Sequence, residues 1–290
     1  MTYNNKTMKV YLNGALENSG TFAYDTGSTE PENFLTIGAR SYDTTTINSF
    51  FEGVIDHVKV YDFEMTPAQV AWDYNRGAPA AHWKFDEGEG TTITDSSSNS
   101  NTGNFGTNEP AWTSSGKFNS AIEFTSSESD YIDVAHSDSL SPIEDVTVSA
   151  WVKLNSLANY QVIAFKPQYY WLGFYSTTGR LRADLYTSGY DDLVASSDTA
   201  LSTGQWYHVT FVYDGSEMIL YKNGTEIASQ NRTGTRDDTY SSVLDIGGDT
   251  VSDNYYFDGV IDDIKIYNYA LTPEQIKMDY NQNSATRFGE

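Results

Sequence analysis

The chemistry open to this chain is that of carboxylates and aromatic rings: it has 40 Asp and Glu, 6 Trp, 22 Tyr and 14 Phe, and no cysteine. Carboxylates offer hard oxygen to calcium, which takes about six to eight such ligands. No D-x-D-x-D-G loop is present, so a site has to be assembled from separate segments. Asp86, Asp95 and Asn99 in one loop, meeting Asp262 or Asp263 on a late strand, form one such assembly, an ion that ties the ends of a folding unit together. The alternative reading makes Asp86 and Asp95 turn caps and Asp263 a solvent-facing strand residue. Paired carboxylates could also cleave glycosides, which with retention requires two carboxyl groups about 5–5.5 Å apart. The nearest acidic strand is Gly259-Val260-Ile261-Asp262-Asp263, and the histidines (His57, His82, His136, His208) lie scattered, with no Ser/His/Asp pattern around them.

Aromatic rings suit a different task, since a sugar is held by an aromatic face and by directed hydrogen bonds. Residues 180–186 place Leu181, Ala183 and Leu185 on one side of a strand and Arg180, Arg182, Asp184 and Tyr186 on the other. That second side is polar enough to read a ligand, and its plain alternative is a solvated face with cross-strand ion pairs. Tyr169, Tyr170 and Trp171 stand at a loop-to-strand junction, and Tyr190 and Tyr240 in expected loops, where core packing is a poorer explanation for a large ring. Trp151, Trp206 and Tyr207 sit inside strong strand patterns and read as structural.

Composition narrows the partners. With 17 Lys and Arg against 40 Asp and Glu, the formal charge is −23, which opposes phosphate backbones and anionic lipid, so nucleic acid is not expected as a partner. Hydrophobic residues at 39% exclude a disordered acidic chain. No apolar run approaches the ~18 residues of a membrane span, and residues 1–14 lack the basic and apolar regions of a signal peptide.

The elements that would position these groups are short strands. VTVSAWVKL (146–154), YWLGFY (170–175), RLRADLY (180–186), WYHVTFVYD (206–214), EMILYKNG (217–224) and GVIDDIKIY (259–267) are rich in β-branched and aromatic residues, often alternating. Asp214-Gly215 and Asn223-Gly224 are hairpin signals. One helix is well marked, with Thr272 as N-cap, Pro273 at the first helical position, Gln275 completing a capping box, and Ile276 and Tyr280 facing inward. The polar stretch 94–110 reads as a loop over one rim.

The chain also repeats itself. MKVYLNG (8–14) matches MILYKNG (218–224), FEGVIDHVKVY (51–61) matches FDGVIDDIKIY (257–267), and Thr66-Pro67-Ala68-Gln69 matches Thr272-Pro273-Glu274-Gln275. Residues of about 80–210 have no second copy. Residues 1–79 therefore read as the C-terminal part of a unit, and 80–290 as a complete one.

In order along the chain, AHWKFDEGEGTTITDSSSN, GKFNSAIEF, DYIDV, VTVSAWVKL, GQWYHVTFVYDG, MILYKNG, LDIGG and GVIDDIKIYNYALTPEQI resemble the LamG-like branch of the concanavalin A-like lectin/glucanase superfamily, which includes laminin G modules and pentraxins. The resemblance implies an all-β fold, a two-sheet antiparallel jelly-roll sandwich with one short C-terminal helix per unit. It also implies tandem units in secreted or cell-surface proteins, glycan or cell-surface protein ligands, and frequent calcium. A pentraxin-like ion site would use Asp249 and Asp253 with acid or amide groups near 166–168. Lys166-Pro167-Gln168 stand there, and Arg40 takes the place of Asp249 in the first copy. The E-x-D-x-E run of glucanases with this fold is missing. The expected function is a non-catalytic carbohydrate-binding or adhesion module, calcium-stabilised and extracellular or at the cell surface. A spacer repeat without a ligand, or a glycoside hydrolase, are the alternatives. The partial unit would expose an apolar face and a strand edge. It would be covered by more of a longer array, by the complete unit, or by a neighbouring chain that supplies the missing strands.

Overall fold

The computed structural model describes residues 1–4, 7–21, 36–41, 47–61, 63–157, 159–187, 189–234, 240–251 and 255–281. The chain divides into two compact units, Met1–Val70 and Ala71–Glu290.

The second unit is a sandwich of two eight-stranded antiparallel sheets. The first sheet runs Thr225–Asn231, Glu217–Lys222, Trp206–Tyr213, Val146–Leu154, Gly259–Tyr267, Ala121–Phe124, Ala111–Thr113, with Ala81–Trp83 also pairing with Gly259–Tyr267. The second runs Tyr190–Val194, Arg180–Tyr186, Tyr170–Tyr175, Gln161–Lys166, Leu244–Ile246, Ile132–Val134, Gly103–Phe105, Thr92–Ile93. Period-two alternation explains most of this. In Val146–Leu154 the residues Val146, Val148, Ala150, Val152 and Leu154 are all buried in the core, while Thr147, Ser149, Trp151 and Lys153 occupy the other face. Trp83, Phe85, Phe124, Phe174 and Phe257 fill the space between the sheets, with Phe124 and Phe257 packed edge to face at 6.2 Å.

Local signals act as the residue types dictate. Asn223 and Gly224 take φ of 50° and 74°, the paired positive values that a two-residue type I′ hairpin requires. At the helix Pro273–Tyr280, the Gln275 amide donates to Thr272 Oγ1 at 3.3 Å and the Thr272 amide to Gln275 Oε1 at 2.8 Å. Ile276 is fully buried against Val212, Tyr221, Tyr269 and Leu271. Loss of this cap in Thr272→Ala is expected to cost about 1 kcal/mol, or about 2–4 °C in a calorimetric melt of a unit this size.

The stretch 94–110 departs from a plain rim loop, because Gly103–Phe105 pairs with both Thr92–Ile93 and Ile132–Val134. Asp95 shapes the remainder. Its Oδ1 accepts the amides of His82 and Ser97, and its Oδ2 accepts the Asn101 amide and the Ser97 hydroxyl.

The strand Gly259–Tyr267 breaks alternation once. Its register with Val146–Leu154 shifts between Ser149 and Trp151, and Asp263 sits there at φ 48°. This is a β-bulge, in which the extra residue turns two successive side chains to one face. Ile261, Ile264 and Ile266 enter the core, and Asp262 and Asp263 both lie on the opposite face.

The first unit holds a three-stranded antiparallel sheet, Thr2–Asn4, Thr7–Leu12 and Ala15–Thr21, a short pair, Arg40–Ser41 with Ile47–Asn48, and a Lys9–Glu64 ion pair at 3.0 Å. The helix Pro67–Asn75 begins in this unit with a copy of the capping box, the Thr66 amide donating to Gln69 Oε1 at 2.8 Å. Among the described residues no helix is long and apolar enough to cross a membrane.

Candidate functional site

The outer face of the second sheet carries a cavity of about 410 Å³. In Tyr170–Tyr175 the residues Tyr170, Leu172 and Phe174 point into the core and Trp171 points outward. In Arg180–Tyr186 the residues Leu181, Ala183 and Leu185 are core and Arg182 and Asp184 lie outward, as their alternation predicts. The two strands pair with Trp171 opposite Asp184, so these outward groups converge. Arg182 donates from Nε and Nη2 to the two Asp184 oxygens at 2.6 and 2.9 Å. Its guanidinium lies 5.4 Å from the Trp171 ring centre and 5.5 Å from that of Tyr160. Tyr160 stacks on Tyr255 at 4.9 Å and meets Tyr175 edge-on at 5.3 Å. Trp171 is nearly covered, whereas Tyr160 and Tyr255 are half-buried and form the open aromatic wall. A bidentate carboxylate fixes the planar guanidinium, and the rings on either side hold it by cation–π attraction.

The floor of the cavity is electrostatically unusual. Lys166 is fully buried, donates to the Ser242 carbonyl at 2.7 Å, and is pushed down to about 8 by burial against the opposing pull of Asp245. Asp245 is also fully buried, with Oδ2 accepting the Thr250 amide and hydroxyl. Burial raises it above the ordinary carboxylate range, and Asp133, its direct cross-strand neighbour, and Asp249 add to the rise. Asp249 lines the cavity and accepts the Val251 amide.

Several expected site residues have other roles. Tyr169 and Tyr170 line the cavity from beneath: they are 1% and 2% exposed, belong to the core, and donate their hydroxyls to the carbonyls of Tyr240 and Leu140. The alternation that brings Trp171 out necessarily carries Tyr170 in. Arg180 donates to the Ala195 carbonyl and is absent from the cavity lining, and Tyr186 lines the rim. Tyr240 is 41% exposed. Tyr190 pairs with Tyr186 through its backbone, its side chain lying outside the described residues, as does Asp253. Tyr160, Tyr255 and Lys166 are additions. Lys166 had a readable signal, a single charge closing the apolar run QVIAFK. Nothing in the sequence separates Tyr160 or Tyr255 from the other 20 tyrosines.

The residues expected to hold calcium, Asp86, Asp95, Asn99, Asp262 and Asp263, make contacts within the protein. Asp95 spends both oxygens on four protein hydrogen bonds, and Asn99 donates to the Ala80 carbonyl. Asp263 accepts from His82 Nε2 at 2.6 Å and from Lys265 Nζ at 2.8 Å, so donors of the protein already occupy its oxygens. Asp86 and Asp263 both line a second cavity of about 700 Å³ on the outer face of the first sheet. Among the described residues, no three His, Asp or Glu side chains stand together in a way that could hold a metal.

That outer face holds instead a chain of ion pairs: His82 to Asp263, Asp263 to Lys265, Lys265 to Asp279 at 2.8 Å, and Asp279 to His208 at 3.3 Å, with the Ser149 hydroxyl donating to Asp279 at 2.8 Å. The two histidines that look unrelated in sequence end one network. Burial would raise Asp279, but His208 and the Lys265 ammonium overcome it and hold the carboxyl far below the ordinary range. Beside it Asp262 is fully buried, accepts the Phe118 amide at 2.9 Å, and is pushed up to about 7, by burial first and by the Asp263 charge in addition. Since the folded pKa lies above the unfolded value of about 3.9, the fold binds the extra proton and Asp262 weakens it as pH rises from about 4 to 7. Asp262→Asn is expected to remove that slope and to stabilise the protein by roughly 4 kcal/mol at pH 8 and little at pH 4. Melts of both proteins at the two pH values check this, an equal difference at each pH being the contrary result.

Residues 1–71 and 126–277 match a laminin-G-type model described as Concanavalin A-like lectin/glucanases superfamily. The chain belongs to that superfamily. No curated protein matches the sequence. Among solved structures, domain 4 of AbnA, a GH43 extracellular arabinanase from Geobacillus stearothermophilus solved with arabinotriose, is similar at 24% identity and a TM-score of 0.57, over 70% of this chain and 97% of that one. The binding domain of Paraclostridial Mosquitocidal Protein 1 is similar at 19% identity and a TM-score of 0.57, over 71% of this chain and 52% of that one. The botulinum neurotoxin serotype G binding domain follows at 17% identity and 0.55, over 72% and 52%. This chain thus spans about half of each toxin binding domain. At these identities the likeness shows the shared fold.

Proposed function

We propose that this chain is a non-catalytic carbohydrate-binding module of an extracellular or cell-surface protein, one complete LamG-like unit preceded by the C-terminal part of another. The observation that carries the reading is the cavity on the second sheet, where Tyr160, Tyr255 and Trp171 surround the Arg182–Asp184 pair. Aromatic faces accept the C–H face of a sugar ring, and a fixed guanidinium–carboxylate pair presents donors and acceptors to its hydroxyls. The volume of about 410 Å³ suits one or two sugar residues. The carboxylates lining it, Asp184 and Asp249, act as acceptors for Arg182 and the Val251 amide, a positioning use unlike that of a hydrolytic acid–nucleophile pair. The arabinotriose held by domain 4 of AbnA supports the same class of ligand.

The test is titration of the full chain with a panel of oligosaccharides, arabinotriose included, followed by calorimetry and by loss of Tyr160 fluorescence contrast in Tyr160→Phe. Saturable binding abolished by cavity variants is expected. Binding that survives them would move the site, and no binding across the panel would favour the ligand-free spacer.

A further inference from the structure

We propose that the outer face of the first sheet is a second saccharide site, a groove for a longer run of an uncharged polysaccharide, separate from the cavity around Tyr160. The choice of a saccharide rests on the proposed function. The groove joins two cavities. The larger, of about 700 Å³, is lined by the segment 72–79, by the sheet and by the helix Pro273–Tyr280. The smaller, of about 310 Å³, is lined by Lys84, Asp86, Glu87, Thr94 and Ser96. Lys84 and Asp86 belong to both, so the two adjoin along one path. Every residue that lines them lies in the second unit.

Alternation builds this path. Ala81, Trp83 and Phe85 enter the core, which leaves His82, Lys84 and Asp86 in the groove. Past the bulge, Ile264 and Ile266 are core, and Lys265 and Tyr267 line the larger cavity. The segment 72–79 is tied to the sandwich: Asn75 Nδ2 donates to Asn268 Oδ1 at 3.0 Å, and the Tyr269 hydroxyl to the Ala78 carbonyl at 3.2 Å. It carries Trp72, which is 43% exposed and lies against Gly77. Gly77 is at φ 75°, and a Cβ there would stand 3.1 Å from the indole nitrogen, so this close seat needs glycine. The Gly77 amide also donates to the Trp72 carbonyl at 3.0 Å. A large ring fixed in a cavity wall and still partly exposed offers a sugar a stacking face.

The charges specify the chemical class. In the floor, Asp263 and Asp279 are compensated by His82 and Lys265. Around them stand exposed groups of both signs, Arg76 and Lys84 against Asp86 and Glu87. An ion of either sign meets as many like charges as opposite ones there, whereas hydroxyl groups find donors in Arg76 and Lys84 and an acceptor in Asp86. A path through two adjoining cavities takes more consecutive sugar residues than the cavity of about 410 Å³ on the second sheet, and so favours a long chain over a short one.

The experiment is calorimetry on the full chain with uncharged trisaccharides and octasaccharides of arabinan, xylan and cellulose, and with an octasaccharide of galacturonic acid. Wild type is expected to bind an uncharged octasaccharide at two sites. Tyr160→Ala should keep one of them, which prefers the octasaccharide to the matching trisaccharide. Adding Trp72→Ala to Tyr160→Ala is expected to weaken that remaining site about ten-fold or more. Lys84→Ala, a change at an exposed position that does not touch the Trp72 ring, should lower the octasaccharide toward the trisaccharide value. Loss of all binding in Tyr160→Ala alone leaves a single site on the second sheet, which overturns this inference while the proposed function stands. Affinity unaltered by both Trp72→Ala and Lys84→Ala, equal affinity for the two lengths, or tighter binding of the galacturonate overturns it as well. No binding of any probe by wild type overturns both readings.

Discussion

Replacing Asp279 by Ala is expected to cost about 3–5 kcal/mol, the penalty for leaving a buried charge without its partner. The carboxylate joins three elements: it accepts from Ser149 on one strand and Lys265 on the next and lies 3.3 Å from His208 on a third, while sitting on the helix that packs over them. Lys265 would keep Asp263 alone at 2.8 Å. In a melt the loss corresponds to about 6–20 °C for a unit of this size. The pH dependence has a definite sign. Asp279 is depressed in the fold, so its contribution is present above the unfolded value of about 3.9 and lost as pH falls below it. Wild type and variant should therefore converge on acidification below about pH 4, and a gap that stays constant down to pH 2 would assign the loss to packing.

The second large effect belongs to ligand binding. Tyr160→Ala removes the open aromatic wall and is expected to weaken glycan affinity about 10- to 100-fold, or about 1.4–2.8 kcal/mol. Because Tyr160 is half-buried and packs mainly on Tyr175 and Tyr255, the melting temperature should change little. Arg182→Ala is a poorer probe, since it strands the buried Asp184, which is 2% exposed. Arg182→Lys keeps the charge and loses the bidentate fork, and is expected to reduce affinity with a small stability cost. Unchanged affinity in both Tyr160→Ala and Arg182→Lys would remove the cavity as the binding site.

The sandwich itself was legible because alternation, hairpin dipeptides and the Thr272 capping box are local, and each acts in the structure as its residue types require. Strand 180–186 showed which side would be polar, and Arg182 and Asp184 meet Trp171 for that reason. The bulge was not legible. GVIDDIKIY reads as continuous alternation with one misplaced acid, and only the register shift against Val146–Leu154 turns Asp262 and Asp263 to the same face. The use of Asp95 was equally hidden: a carboxylate that could ligate an ion has the same sequence appearance as one that folds a loop around four hydrogen bonds. Tyr160 and Tyr255 reach the cavity from segments 95 residues apart, a convergence set by topology rather than by any neighbouring residue.

The pairing of Ala81–Trp83 with Gly259–Tyr267 has a bearing on biosynthesis. His82 bonds Asp263 across 181 positions, and the Ala80 amide donates to the Ile266 carbonyl. A ribosome must therefore release nearly the whole second unit before its first strand can pair with Gly259–Tyr267. At about 5–20 residues per second, that strand waits roughly 10–40 s. During that interval the nascent chain carries a finished first half with no closing strand, which makes this unit a candidate for chaperone dependence during synthesis, whatever its stability once closed.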